Sequence, residues 1–157
     1  MSEHPVGMKL GPAFFVLAVT GGVLGAFGTA LLGQSAVRAA DERAAVEKTI
    51  RQYFRGDVER DVASLERAFH PRAELLTAGA DGELEVLTQA SWHTDVRATP
   101  DRERPEPEIV SVDIHGKAAM AKTRLTFAAG RFTDYLSLLK LDGGWVIVNK
   151  IYHWEQW

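Results

Sequence analysis

Phe132-Thr133-Asp134-Tyr135-Leu136-Ser137-Leu138-Leu139-Lys140-Leu141, then Asp142-Gly143, then Gly144-Trp145-Val146-Ile147-Val148-Asn149-Lys150-Ile151-Tyr152-His153: two runs of aliphatic and aromatic residues meet at an Asp-Gly step. Such runs suit a pleated, half-buried surface, and Asp-Gly supplies a tight hairpin turn. A two-residue loop sets the register, so Leu136 should oppose Asn149, Asp134 should oppose Ile151 and Phe132 should oppose His153. Upstream, from Glu108, three strand-like runs are read as an antiparallel meander punctuated by His115-Gly116-Lys117, Ala129-Gly130-Arg131 and Asp142-Gly143-Gly144. Carrying the alternation back places Val110, Val112, Ile114, Ala119, Ala121, Thr123, Leu125 and Phe127 on one face. Phe132, Asp134, Leu136, Leu138, Trp145, Ile147, Asn149, Ile151 and His153 share it. That face is overwhelmingly apolar and reads as the core side. Lys122, Arg124, Tyr135, Lys150 and Tyr152 fall on the other. A β-bulge would invert the assignment beyond it.

Before the meander the period is helical. Val46, Ile50, Tyr53 and Phe54 recur at helical spacing behind Asp41, an N-cap candidate. A second helix should start at Asp61, carry Val62, Leu65 and Phe69, and stop at Pro71. Ala73–Thr77 and Leu84–Thr88 flank Ala80-Asp81-Gly82 as a hairpin. Thr88 can cap a third helix through Trp92 and Val96, and Pro100–Pro107 reads as a loop.

The 157 residues suit one domain with an N-terminal extension, and 46% hydrophobic with 25% charged residues predict a packed core rather than a disordered chain. A net charge of −3 provides no basic surplus for a phosphate backbone, which argues against a nucleic-acid partner. Without cysteine there is no disulfide, no thiolate nucleophile and no Cys-ligated metal. Leu10–Leu32 is uncharged over 23 residues, and Val37-Arg38-Ala39 has small residues at the −3 and −1 positions of a cleavage site before Ala40. Residues 1–39 therefore read as a signal peptide or N-terminal membrane anchor, and residues 41–157 as the domain. Cleavage implies export to the periplasm or beyond; an uncleaved segment implies membrane anchoring.

Asp134, Asn149 and His153 are polar on the face reserved for the core. A buried carboxylate must be paired or must line a cavity, and an Asp–His pair in an apolar pocket suits proton transfer. His70 follows a helix end, where capping is the simpler role. Tyr53 and Trp92 project from helices that should cover the sheet. His93 with Asp95, and His115, lack any metal-ligand spacing, so no metal is expected. No nucleophile elbow, phosphate loop or glycosylation sequon is present.

Four segments carry a resemblance: Ala68-Phe69-His70-Pro71, Val112-Asp113-Ile114-His115-Gly116-Lys117-Ala118-Ala119, Phe132–Lys140 and Asp142–Lys150. Together with the element order they make the chain, from about Asp41 to His153, similar to the nuclear transport factor 2-like superfamily, and within it to the putative lumazine-binding group. The resemblance implies an α+β cone: a curved antiparallel sheet packed against three N-terminal-half helices, with a cavity between them and dimerisation through the sheet's outer face. It implies no single activity, since the superfamily includes isomerases, dehydratases, cyclases and proteins that only bind. Enzymes of the fold often place an Asp or His inside the cone, where Asp134 and His153 are this sequence's candidates. The expectation is an exported, homodimeric domain that binds a small apolar or aromatic molecule, without a cofactor. Its apolar pocket would be formed by Tyr53, His70, Trp92, Asp134, Asn149 and His153. The alternatives are an isomerase- or lyase-type enzyme using Asp134 and His153 for proton transfer, and a non-catalytic interaction module.

Overall fold

The computed structural model describes residues 24–99 and 101–157, with side chains from residue 34 onward. The chain divides into two units, Met1–Ser35 and Ala36–Trp157. Residues 1–23 of the first unit, and with them more than half of the apolar run Leu10–Leu32, lie outside the described residues. Among the described residues no helix is long and apolar enough to cross a membrane.

Helix α1 spans Leu24–Val58. It passes straight through Asp41, so that residue caps nothing. The alanine-rich stretch from Ala36 to Ala45 contains no Gly or Pro to end a helix, and alanine is the best helix former. The stripe Val46, Ile50, Tyr53 and Phe54 is buried as its spacing predicts. Helix α2, Val62–Ala68, is capped by Asp61, whose carboxylate accepts from the Ser64 N–H at 3.2 Å and from the Ser64 hydroxyl at 2.6 Å. It ends sooner than predicted. Phe69 is already extended and opens strand β1, Phe69–Ala78, so Pro71 sits inside a strand rather than stopping a helix. It is tolerated because β1 is irregular between Phe69 and Glu74, where a missing N–H costs no ladder bond.

Strand β2 is Leu84–Leu87, and α3, Gln89–Ala98, is capped by Thr88 through the Ser91 N–H. Four strands follow rather than three, because three turns separate four runs: β3 Glu106–His115, β4 Ala118–Phe127, β5 Gly130–Leu141 and β6 Gly144–Gln156. Pro107 therefore lies in a strand, at the sheet edge where proline is permitted. All six strands form one curved, unclosed sheet in the order β2-β1-β6-β5-β4-β3. Every adjacent pair is antiparallel except β1 and β6, which run parallel.

Two bulges decide which side chains face inward. Leu138 pairs with Ile147, but Ser137 pairs with Asn149, so Val148 is an extra residue. Beyond it every β6 side chain is inverted relative to the simple alternation. Leu136 opposes Lys150, Asp134 opposes Tyr152 and Phe132 opposes Trp154. Ile151, expected in the core, is 52% exposed, while Lys150 is buried. A similar shift between Ile109 and Ser111 turns Val110 outward. The remaining inner positions, from Ala119 to Phe127 on β4 and from Asp134 to Leu138 on β5, are buried as predicted.

Gly56 of α1 lies against Leu65 of α2. A Cβ there would lie 2.3 Å from Leu65 Cδ2 and 2.9 Å from the Leu65 backbone nitrogen. Gly56→Ala should therefore destabilise the fold by about 1–3 kcal/mol through overpacking. The sign is informative, because helix propensity alone would favour alanine by ~1 kcal/mol. A urea midpoint above wild type would show that α2 yields freely.

Candidate functional site

The polar cluster inside the sheet is built from four elements. The α1 stripe aims Tyr53 at the sheet, β5 alternation turns Asp134 inward, β4 sets Thr123 directly opposite it, and the Val148 bulge delivers Lys150. The Tyr53 hydroxyl donates to Asp134 Oδ2 at 2.6 Å, and Thr123 donates to the same oxygen at 3.2 Å. Lys150 Nζ donates to the Tyr53 hydroxyl at 2.9 Å and stands 3.2 Å from Asp134 Oδ1. That last approach is an ion pair without hydrogen-bond alignment, so Oδ1 is compensated by charge alone.

Asp134 and Tyr53 are 0% exposed and Lys150 is 7% exposed. A carboxylate at that depth is tolerable only beside its counter-ion and with its lone pairs used, conditions this cluster largely meets. Burial first, and then the charge of Asp134, push the Tyr53 phenol well above its ordinary range. It therefore remains an O–H donor at neutral pH. The Lys150 ammonium also lies over three rings, 4.9 Å from Tyr53, 5.3 Å from Trp92 and 5.1 Å from Tyr152, positions that favour a cation.

Over Lys150 opens a cavity of about 170 Å³. Trp92, Phe132 and Tyr152 supply rings, and Leu75, Leu87 and Leu125 supply aliphatic wall. Asp57, Asp95, Arg102 and Lys150 supply charge, so the lining is mixed rather than apolar. Asp57 continues the α1 stripe one turn beyond Tyr53 and is 5% exposed. Asp134 and Tyr53 are not part of the lining; they lie behind Lys150. A wider depression of about 600 Å³ between α1 and the start of β3 is lined by Arg43, Arg51 and Arg55 with Glu47 and Glu59. Those charges neutralise one another along the helix, which leaves that depression no chemistry of its own. Among the described residues no three His, Asp or Glu side chains converge as metal ligands would.

A family described as "Putative lumazine-binding" matches residues 41–153. The chain belongs to this family. The domain is similar to solved NTF2-like structures of unknown function. One from Shewanella baltica is 27% identical, covering 75% of this chain and 97% of that one, with a TM-score of 0.68. Another from Silicibacter pomeroyi is also 27% identical, covering 74% and 98%, with a TM-score of 0.66. A third from Methylobacillus flagellatus, at 24% identity over 73% and 93% with a TM-score of 0.64, shares the fold. No curated protein matches the chain.

Of the six site residues expected in this domain, the structure gathers Tyr53, Trp92 and Asp134 around Lys150. The other three lie elsewhere. The bulge leaves His153 exposed, in register with Thr133 rather than with Asp134, so no Asp–His pair forms. Asn149 is likewise turned away from the core, its amide 3.5 Å from the Glu74 carbonyl oxygen. His70 Nδ1 accepts from the Arg72 N–H at 3.2 Å, bracing the turn around Pro71 rather than capping a helix. Lys150, Asp57, Arg102 and Tyr152 were not singled out. Asp57 was reachable from helical spacing, whereas Lys150 was hidden by a bulge among Val146, Ile147 and Val148, which carries no glycine to mark it.

Proposed function

We propose that this domain binds a small, flat organic molecule in the cavity over Lys150. The observation that carries this reading is the division of labour within the ion pair: Lys150 forms cavity wall among aromatic rings, while Asp134 is sealed behind it. A ligand would meet a cation already neutralised from behind and able to offer an N–H to a carbonyl oxygen, with Trp92 and Tyr152 as stacking surfaces. The family's description supports the same class of ligand. Proton-transfer catalysis by Asp134 and His153 is the weaker reading. One group does not line the cavity and the other faces away from it.

Export and self-association belong to the same proposal. The uncharged run Leu10–Leu32 with Val37-Arg38-Ala39 supports export or membrane anchoring. The exposed Met120, Tyr135, Leu139 and Ile151 on the sheet's outer face support pairing with a second copy. The test uses lumazine as probe and tryptophan fluorescence as readout. Wild type should show saturable quenching, Trp92→Phe should lose most of it, and Lys150→Met should bind at least tenfold more weakly. No quenching, together with no adduct by native mass spectrometry, would overturn the reading.

A further inference from the structure

Asp57 carries a carboxylate that the fold does not use. It lies on the inner stripe of α1, one turn beyond Tyr53, and lines the cavity over Lys150 while only 5% exposed. Among the described residues no N–H or O–H donates to its side chain and no cation stands within ion-pair distance of it. Arg60 feels its charge only at longer range. Asp134, at similar depth, has Tyr53, Thr123 and Lys150. A buried carboxylate without a partner is costly, and a negative charge in the last turn of a helix opposes the helix dipole, so Asp57 weakens the fold on both counts.

The other charges of the lining are answered. Asp134 neutralises Lys150 from behind, and Asp95 and Arg102, opposite in sign, are both exposed to solvent. Asp57 is the lining group that is charged, buried and without a partner. A donor brought by the ligand would satisfy it. A cationic donor would enter beside the Lys150 ammonium, which belongs to the same lining, whereas a neutral N–H escapes that repulsion. Lys150 in turn offers an N–H to a carbonyl oxygen, so the polar edge of the ligand needs both a donor and an acceptor, as a ring amide, imide or ureide provides.

We propose that Asp57 accepts a ring N–H of the ligand, and that the ligands of this cavity are neutral heterocycles in which such an N–H adjoins a carbonyl. This rests on the cavity being the ligand site. Trp92, Phe132 and Tyr152 then cover the faces of the ring, while Asp57 and Lys150 read its edge. A carboxylate that costs stability and recognises a ligand is a trade of folding against function.

Lumazine and its di-N-methyl derivative share one ring system, but the derivative has a methyl group in place of each ring N–H. In isothermal titrations of the full chain the derivative should bind roughly tenfold more weakly or worse, the loss expected when a buried charged acceptor meets no donor. Asp57→Leu, branched at the same carbon and unable to accept, should weaken lumazine by a similar factor and leave the derivative unchanged. Its urea midpoint should equal or exceed that of wild type. Equal affinities of the two compounds in wild type, or undiminished lumazine affinity in Asp57→Leu, would overturn the role of Asp57 while leaving the cavity as the ligand site. A midpoint well below wild type would make Asp57 a structural residue and overturn it as well. If neither compound binds wild type, both readings fall.

Discussion

Asp134→Asn should lower the unfolding free energy by about 3–5 kcal/mol, because it strands a buried ammonium. The amide still accepts from Tyr53 and Thr123 in place of Oδ2, so packing and most hydrogen bonds persist. What disappears is the negative charge 3.2 Å from Lys150, whose side chain is 8% exposed. The phenol and the three rings around Nζ soften the loss without replacing it. Removing both charges is predicted to be milder. Asp134→Leu with Lys150→Met should recover most of the lost stability, since apolar replacement of a whole buried pair is often close to neutral. Urea unfolding of Asp134→Leu, of Lys150→Met and of the double variant closes the cycle. A loss below about 1 kcal/mol in Asp134→Asn, the range of an exposed pair, would mean that the cavity over Lys150 screens its ammonium as well as bulk solvent would.

Phe69→Ala should cost about 3–5 kcal/mol, the range for deleting a buried ring. Phe69 is 1% exposed at the junction where α2 becomes β1. Its ring meets Tyr53 edge-on at 5.6 Å and Trp92 at 5.2 Å, so it connects the wall of the cavity to the residue that holds Asp134. A hole there loosens both. Probe affinity should fall along with stability, although Phe69 does not itself line the cavity. Denaturation midpoints and lumazine titration on one preparation would show this. Undiminished affinity at lowered stability would mean Trp92 is positioned by α3 alone.

The helices and the inner face of β4 and β5 were legible because their signals are local. Val46, Ile50 and Tyr53 lie one helical turn apart, and Ala119, Ala121, Thr123 and Leu125 alternate with Met120, Lys122 and Arg124. Asp134 was legible too, as a charge on an otherwise apolar face. Its partner was not. One unmarked extra residue, Val148, exchanged the face of everything after it, sending His153 and Ile151 outward and bringing Lys150 in.

The sequence by itself determined the three helices, the Asp142-Gly143 hairpin, the start of α2 at Asp61, the cap at Thr88, and the inward aim of Tyr53 and Asp134, because each depends on neighbours within a few positions. Only the tertiary structure decided that β1 lies parallel to β6, where α2 gives way to β1, and that Lys150 rather than His153 answers Asp134. Those outcomes depend on strand pairing across long sequence separations. There a bulge costs little locally, and its place is chosen by which side chains the assembled core can bury and neutralise.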